Sequence, residues 1–191
     1  FRQEIRELVA STVGYILSQE IDRSKYGCCF PSQSLENGDE IHKSRLGWCY
    51  GDLGVAVALW QAGKTFDRPD WKDKAMDVML FTTGRRDLRD SSISDAGLCH
   101  GGAGVAMMFK YMYDETGDER FAETSNYWAD ATLTLATNED GPAGYKRYTL
   151  ETTPPWKDSY TMLEGIAGIV LILLSTLDME RKSEWTDLFL L

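Results

Sequence analysis

The chain has 191 residues, 43% of them apolar and 26% charged, which suits one domain with a sizeable core and excludes a disordered segment. With 30 acidic residues against 20 basic ones the net charge is −10, and no Lys/Arg cluster could neutralise a row of phosphates, so nucleic acid is set aside as a partner. The longest apolar run, residues 166–174, is far short of the roughly 20 residues that span a membrane, and no secretory signal opens the chain. A cytoplasmic protein is expected.

Ile5, Leu8, Val9, Thr12, Val13, Ile16 and Leu17 fall at helical spacing and predict a first helix to which Phe1 already belongs. A chain that opens in mid-helix on phenylalanine reads as a piece of a longer protein. A polar stretch over about residues 22–46 comes after it. It holds Cys28 and Cys29, vicinal thiols ill-suited to share a metal and read as structural, and His42, within Gly38-Asp39-Glu40-Ile41-His42-Lys43, read as a solvated loop histidine and at most a substitute proton carrier.

Three related phrases come next, each anchored on Gly-x-x-Gly: residues 47–55 (GWCYGDLGV), 97–105 (GLCHGGAGV) and 162–169 (MLEGIAGI). Behind each lies a segment apolar on nearly every side, Val55 to Trp60, Val105 to Phe109 and Ile169 to Leu174, predicting inner helices buried all round. Amphipathic stretches separate them, one with Trp71, Ala75, Val78 and Met79, another with Phe121, Tyr127, Trp128, Ala131 and Leu135. Gly63 and Gly117 stand where helix C-caps are expected, and Pro69 near a helix start. The glycine pairs read as small residues that let an inner helix pack closely on its neighbours.

The first glycines, Gly51, Gly101 and Gly165, are 50 and then 64 residues apart, a spacing suited to a repeat of helical pairs. Strand signals are sparse. Polar loops over about residues 22–46, 84–98 and 138–161 precede the pairs and gather at one rim if the inner helices run parallel. The expectation is an all-α, double-layered array.

Cys49 and Cys99 occupy the same place in two repeats, and His100 follows Cys99 directly. Two thiolates and an imidazole suit Zn²⁺, and three protein ligands leave the fourth tetrahedral position open for substrate or water. Taken alone, buried structural cysteines explain such a pattern equally well; the repeat register favours the metal. Residues 45–54 (RLGWCYGDLG) and 98–104 (LCHGGAG) resemble the two zinc motifs of the lanthionine cyclases, the LanC-like family, and residues 163–169 (LEGIAGI) resemble that family's last inner helix.

The resemblance implies an α/α toroid of seven helical pairs, of which residues 1–191, as the C-terminal part of one such domain, supply about three. It implies zinc held by Cys49, Cys99 and His100. It implies that a cysteine thiol, ordinarily of pKa about 8.5, is made a thiolate and adds to dehydroalanine or dehydrobutyrine in a dehydrated peptide, forming the thioether rings of lantibiotic biosynthesis, with a dehydratase as partner. Arg45 would stabilise the developing enolate and Tyr50 orient or protonate it, although a rim salt bridge and a packing aromatic remain open readings. Glu164, in the place of His100, reads as a loop hydrogen bond or a helix N-terminal charge; Trp48 reads as a core aromatic beside a ligand. The alternatives are addition of glutathione to dehydrated proteins and a non-catalytic zinc protein that binds peptide or thiol. The family's acid/base histidine and its aspartate lie upstream of the first motif, so this chain by itself is expected to bind zinc without cyclising a peptide.

Overall fold

The computed structural model describes residues 2–36 and 40–189. Phe1, Gly38 and Asp39, expected in the first helix and the polar loop, lie outside the described residues. In chain order the helices are α1 (Arg2–Ser18), α2 (Arg23–Tyr26), α3 (Gly51–Phe66), α4 (Pro69–Thr82), α5 (Gly102–Thr116), α6 (Glu119–Thr134) and α7 (Ile166–Thr176), with a 3-10 segment, Glu184–Phe189, after them. A two-residue antiparallel pair, β1 (Arg147–Tyr148) and β2 (Trp156–Lys157), sits in the loop before α7. No described helix is long and apolar enough to cross a membrane.

The helices alternate as the sequence predicts. α3 packs on α4 and α5 on α6, while α3, α5 and α7 follow one another as an inner layer. α5 is central: every residue from Gly102 to Met112 is buried. The outer helices bury one stripe, Trp71, Ala75, Val78 and Met79 on α4 and Phe121 and Trp128 on α6, against Leu53, Leu59, Met108 and Phe109 of the inner layer.

Three expectations need correction. All-round burial holds for α5 but not for α7, which buries Gly168, Ile169 and Ile172 and leaves Val170 43% and Leu174 56% exposed. α7 packs on α5, and between it and α6 an open groove remains, lined by Val170 and Leu174 of α7 and Leu133 of α6. Gly63 is not a C-cap. α3 runs past it to Phe66 and is capped by Asp67 in the left-handed region, whereas a Cβ at Gly63 would come within 2.6 Å of Lys72 Cγ, so the glycine admits the start of α4.

The third correction concerns the glycine pairs, whose tightest neighbours belong to their own preceding loop rather than to another helix. A Cβ would lie 2.6 Å from the Trp48 carbonyl oxygen at Gly54, 1.7 Å from that of Leu98 at Gly104 and 1.9 Å from that of Met162 at Gly168. In each repeat that oxygen is six residues earlier, so the loop doubles back over the first turn of its helix. Gly51 adds a backbone requirement, with φ of 79° and the Arg45 oxygen 2.8 Å from where a Cβ would be.

Beneath the first of these loops lies a buried ion pair. Asp52, in the first turn of α3 and fully buried, accepts from the main-chain N–H groups of Cys29 and Phe30 at 2.9 and 2.8 Å and pairs with Arg85 at 3.2 Å. Arg85 in turn donates to the Ser44 carbonyl at 2.6 Å. Burial pushes the Asp52 carboxyl up, and the two amides and Arg85 oppose it.

Urea unfolding reads how much this packing contributes. Gly104→Ala is expected to cost more than about 2 kcal/mol, whereas Gly14→Ala, on an exposed turn of α1 with nothing within 4 Å, should stabilise by about 0.5–1 kcal/mol. Asp52→Asn, which leaves Arg85 buried without its counter-charge, should cost about 3–5 kcal/mol.

Candidate metal centre

The doubled-back loops bring three equivalent positions side by side at the starts of the inner helices. Lateral hydrogen bonds fix their order: the Trp48 N–H donates to the Cys99 carbonyl at 2.9 Å and the Cys99 N–H to the Leu163 carbonyl at 2.8 Å. Gly47 lies against His100, its missing Cβ 3.4 Å from the His100 Cα and Cβ. The consequence is convergence. One ligand atom each from Cys49, Cys99 and His100 lies within 4.8 Å of the other two.

A tetrahedral zinc with bonds of about 2.3 Å has ligand atoms about 3.7 Å apart, so a 4.8 Å cluster needs only side-chain rotation to close on an ion. Cys49 is exposed while Cys99 and His100 are half-buried, which gives the cluster an open side. The donor set, two sulfurs and one imidazole, suits a borderline-soft divalent cation.

Crowding three titratable groups redistributes their protons. The Cys99 thiol beside it, with His100, draws the Cys49 thiol down to about 5 against partial burial. The same Cys49 contact and burial push Cys99 upward, with Glu164 adding to the shift and Arg45 opposing it. His100 is raised by Cys49 and, further off, by Asp95, against its own burial.

Arg45 is half-buried, its guanidinium 5.8 Å from the centre of the Tyr50 ring, and its charge reaches both Cys99 and His100. Tyr50, 38% exposed, is the extended residue that leads into α3. Glu164 faces the centre from the third repeat and takes a hydrogen bond from Arg147 Nη1. His42 is not brought to the cluster; its exposed imidazole is 3.9 Å from Glu40, and its carbonyl accepts from Ser32 N–H. Cys28 and Cys29 are buried, with burial pushing the Cys29 thiol up to about 12.

Asp95 is a residue the sequence reading passed over. It is 4% exposed and accepts from Gly97 N–H at 3.0 Å and Tyr148 N–H at 2.8 Å, tying the Cys99 loop to β1. Its signal was local: an aspartate two residues before a glycine favours such a side-chain turn. The Tyr148 partner, 53 residues on, carried none.

The zebrafish (Danio rerio) protein described as glutathione S-transferase LANCL1 is 26% identical over 182 residues, 94% of this chain and 38% of its own length. The structure of a nisin cyclase superposes with a TM-score of 0.66 at 18% identity, covering 92% of this chain and 41% of that one. The helices therefore form an arc of the α/α toroid, and the chain spans about two fifths of the length of the proteins it matches. The model of the family described as lanthionine synthetase C-like protein matches residues 2–190, and the chain belongs to that family.

Proposed function

We propose that this chain carries the zinc centre of a lanthionine-cyclase-like protein, with Cys49, Cys99 and His100 as the ligands. The observation that carries the reading is the approach of those three ligand atoms to within 4.8 Å at the starts of consecutive inner helices. When bound, zinc supplies a thiolate at neutral pH, because the metal replaces the proton on the sulfur of an incoming thiol. Two protein thiolates keep such a centre electron-rich, and the exposed side at Cys49 admits a substrate.

The chain's own residues serve the addition step. As a sulfur–carbon bond forms at the β-carbon of a dehydroalanine or dehydrobutyrine, the π-electron pair moves toward the neighbouring carbonyl oxygen. Arg45, whose charge is felt at the ligands, offsets that negative charge. Tyr50, half-exposed beside Cys49, orients the enolate or gives its α-carbon a proton. The substrate on this reading is a dehydrated peptide carrying its own cysteine, supplied by a dehydratase in a reducing, cytoplasmic setting.

The likeness to a protein named as a glutathione S-transferase supports a second reading, in which the activated thiol is glutathione and the acceptor a dehydrated protein. The centre is common to both; only the origin of the thiol differs. Incubating the protein with a dehydroalanine peptide separates them. A product of unchanged mass that has lost its thiol is cyclised, whereas a mass gain equal to glutathione marks intermolecular addition.

Titration of the chain with zinc, read by elemental analysis, should give one ion per chain for the wild type and none for Cys49→Ala or Cys99→Ala. Uptake by both variants at wild-type affinity would contradict the ligand assignment. In the metal-free chain at pH 6.5, iodoacetamide should alkylate Cys49 first, since its thiol is drawn down to about 5 and is exposed, while Cys99 is pushed upward and Cys28 and Cys29 are buried. Peptide mapping that finds Cys99 labelled ahead of Cys49 would reverse this order.

A further inference from the structure

Trp48, one residue before Cys49, makes its side-chain contacts with a distant part of the chain. Its indole Nε1 donates to the Phe189 carbonyl at 3.3 Å, and the two rings meet edge to face with centroids 5.6 Å apart. Phe189 ends the 3-10 segment. Within that segment Trp185 packs edge-on against Phe189 at 6.2 Å and donates from its indole to Ser175 Oγ on α7 at 2.9 Å.

The same segment is tied to the central inner helix. Lys110 of α5, 2% exposed, is paired with Asp114 at 2.8 Å and also donates to the carbonyls of Met179 and Arg181 at 3.2 and 2.9 Å. A buried ammonium spends its three donors on this arrangement, so the segment is held firmly where it leaves α7. Residues 178–189 thus run from α5 and α7 to Trp48, delivering a ring and a carbonyl to it.

Trp48 is fixed from two directions. Its main-chain N–H is bound to Cys99, and its side chain is held by Phe189. Cys49 follows immediately and is exposed, with no side-chain cap from Tyr50 to steady the entry into α3. The direction of the Cys49 Cα–Cβ bond therefore depends on the peptide plane that Trp48 anchors.

We propose that Phe189 and Trp48 are positioning residues for Cys49, and that segment 178–189 is a buttress that holds the Cys49 loop ready to receive a metal. This rests on the reading of Cys49, Cys99 and His100 as metal ligands. Partners that orient a ligand without touching the ion typically contribute about 10- to 100-fold in metal affinity.

The test is competitive zinc titration of the chain against a chromophoric chelator, with the wild type run first. Phe189→Ala should bind zinc about 10- to 100-fold more weakly, with the helical signal of the metal-free chain unchanged. Phe189→Tyr, which keeps the ring, should restore wild-type affinity. The d–d bands of the cobalt(II)-loaded chain should shift in Phe189→Ala and not in Phe189→Tyr. Leu188→Ala, at a side chain 81% exposed, is the control and should change nothing. Wild-type affinity in Phe189→Ala overturns the proposal, as does equal weakening in Leu188→Ala. Should Phe189→Ala fail to fold, Trp48→Phe decides, because it keeps an aromatic ring but loses the indole donor and part of the ring contact with Phe189; unchanged affinity there overturns the proposal. A wild-type chain that takes up no zinc defeats the metal reading itself, and the buttress with it.

Discussion

A peptide oxygen can press against the first turn of a helix only where no Cβ stands between them. That constraint recurs at Gly54, Gly104 and Gly168, each facing the carbonyl six residues earlier. Because the contact is the same in all three repeats, the residues between oxygen and glycine are carried to the same height at the start of their helix. Cys49, Cys99 with His100, and Leu163 with Glu164 are those residues. Main-chain hydrogen bonds from Trp48 to Cys99 and from Cys99 to Leu163 then lock the loops side by side. The glycines place the chemistry without taking part in it.

Two buried carboxylates extend the same architecture. Asp52 gathers the amides of Cys29 and Phe30, and Asp95 those of Gly97 and Tyr148, so each binds a long polar loop to a helix start. Their charges have different counterparts: Arg85 answers Asp52, while Asp95 acts on His100. Cys49 and Cys99 also lie just ahead of α3 and α5, at the positive ends of those helix dipoles. In a chain of net charge −10, Arg45 is the positive charge at this rim that opposes the rise of the Cys99 thiol.

Much of this was legible in the sequence because it is periodic. Helical spacing gave the inner and outer helices, and the register of Cys49 with Cys99 gave the cluster before any coordinates did. The illegible part depends on neighbours far along the chain. The exposure of Val170 and Leu174 reflects which sides of α7 are covered, something an apolar run cannot report. The role of Gly63 depended on the approach of Lys72, and the partners of Asp52 and Asp95 come from 22 and 53 residues away. Lys110 and Trp185 gave no sign that they would anchor the segment that reaches Trp48.

The central claim is that the converged side chains form one zinc centre with an open position. Zinc K-edge X-ray absorption of the metal-loaded chain tests it most directly. The account predicts two sulfur scatterers at about 2.3 Å and one imidazole nitrogen at about 2.0–2.1 Å, with a light atom or a substrate sulfur in the fourth place; the sulfur count should rise to three when a thiol peptide is added. A first shell of oxygen and nitrogen alone, or a sulfur count that an added thiol leaves unchanged, would contradict it.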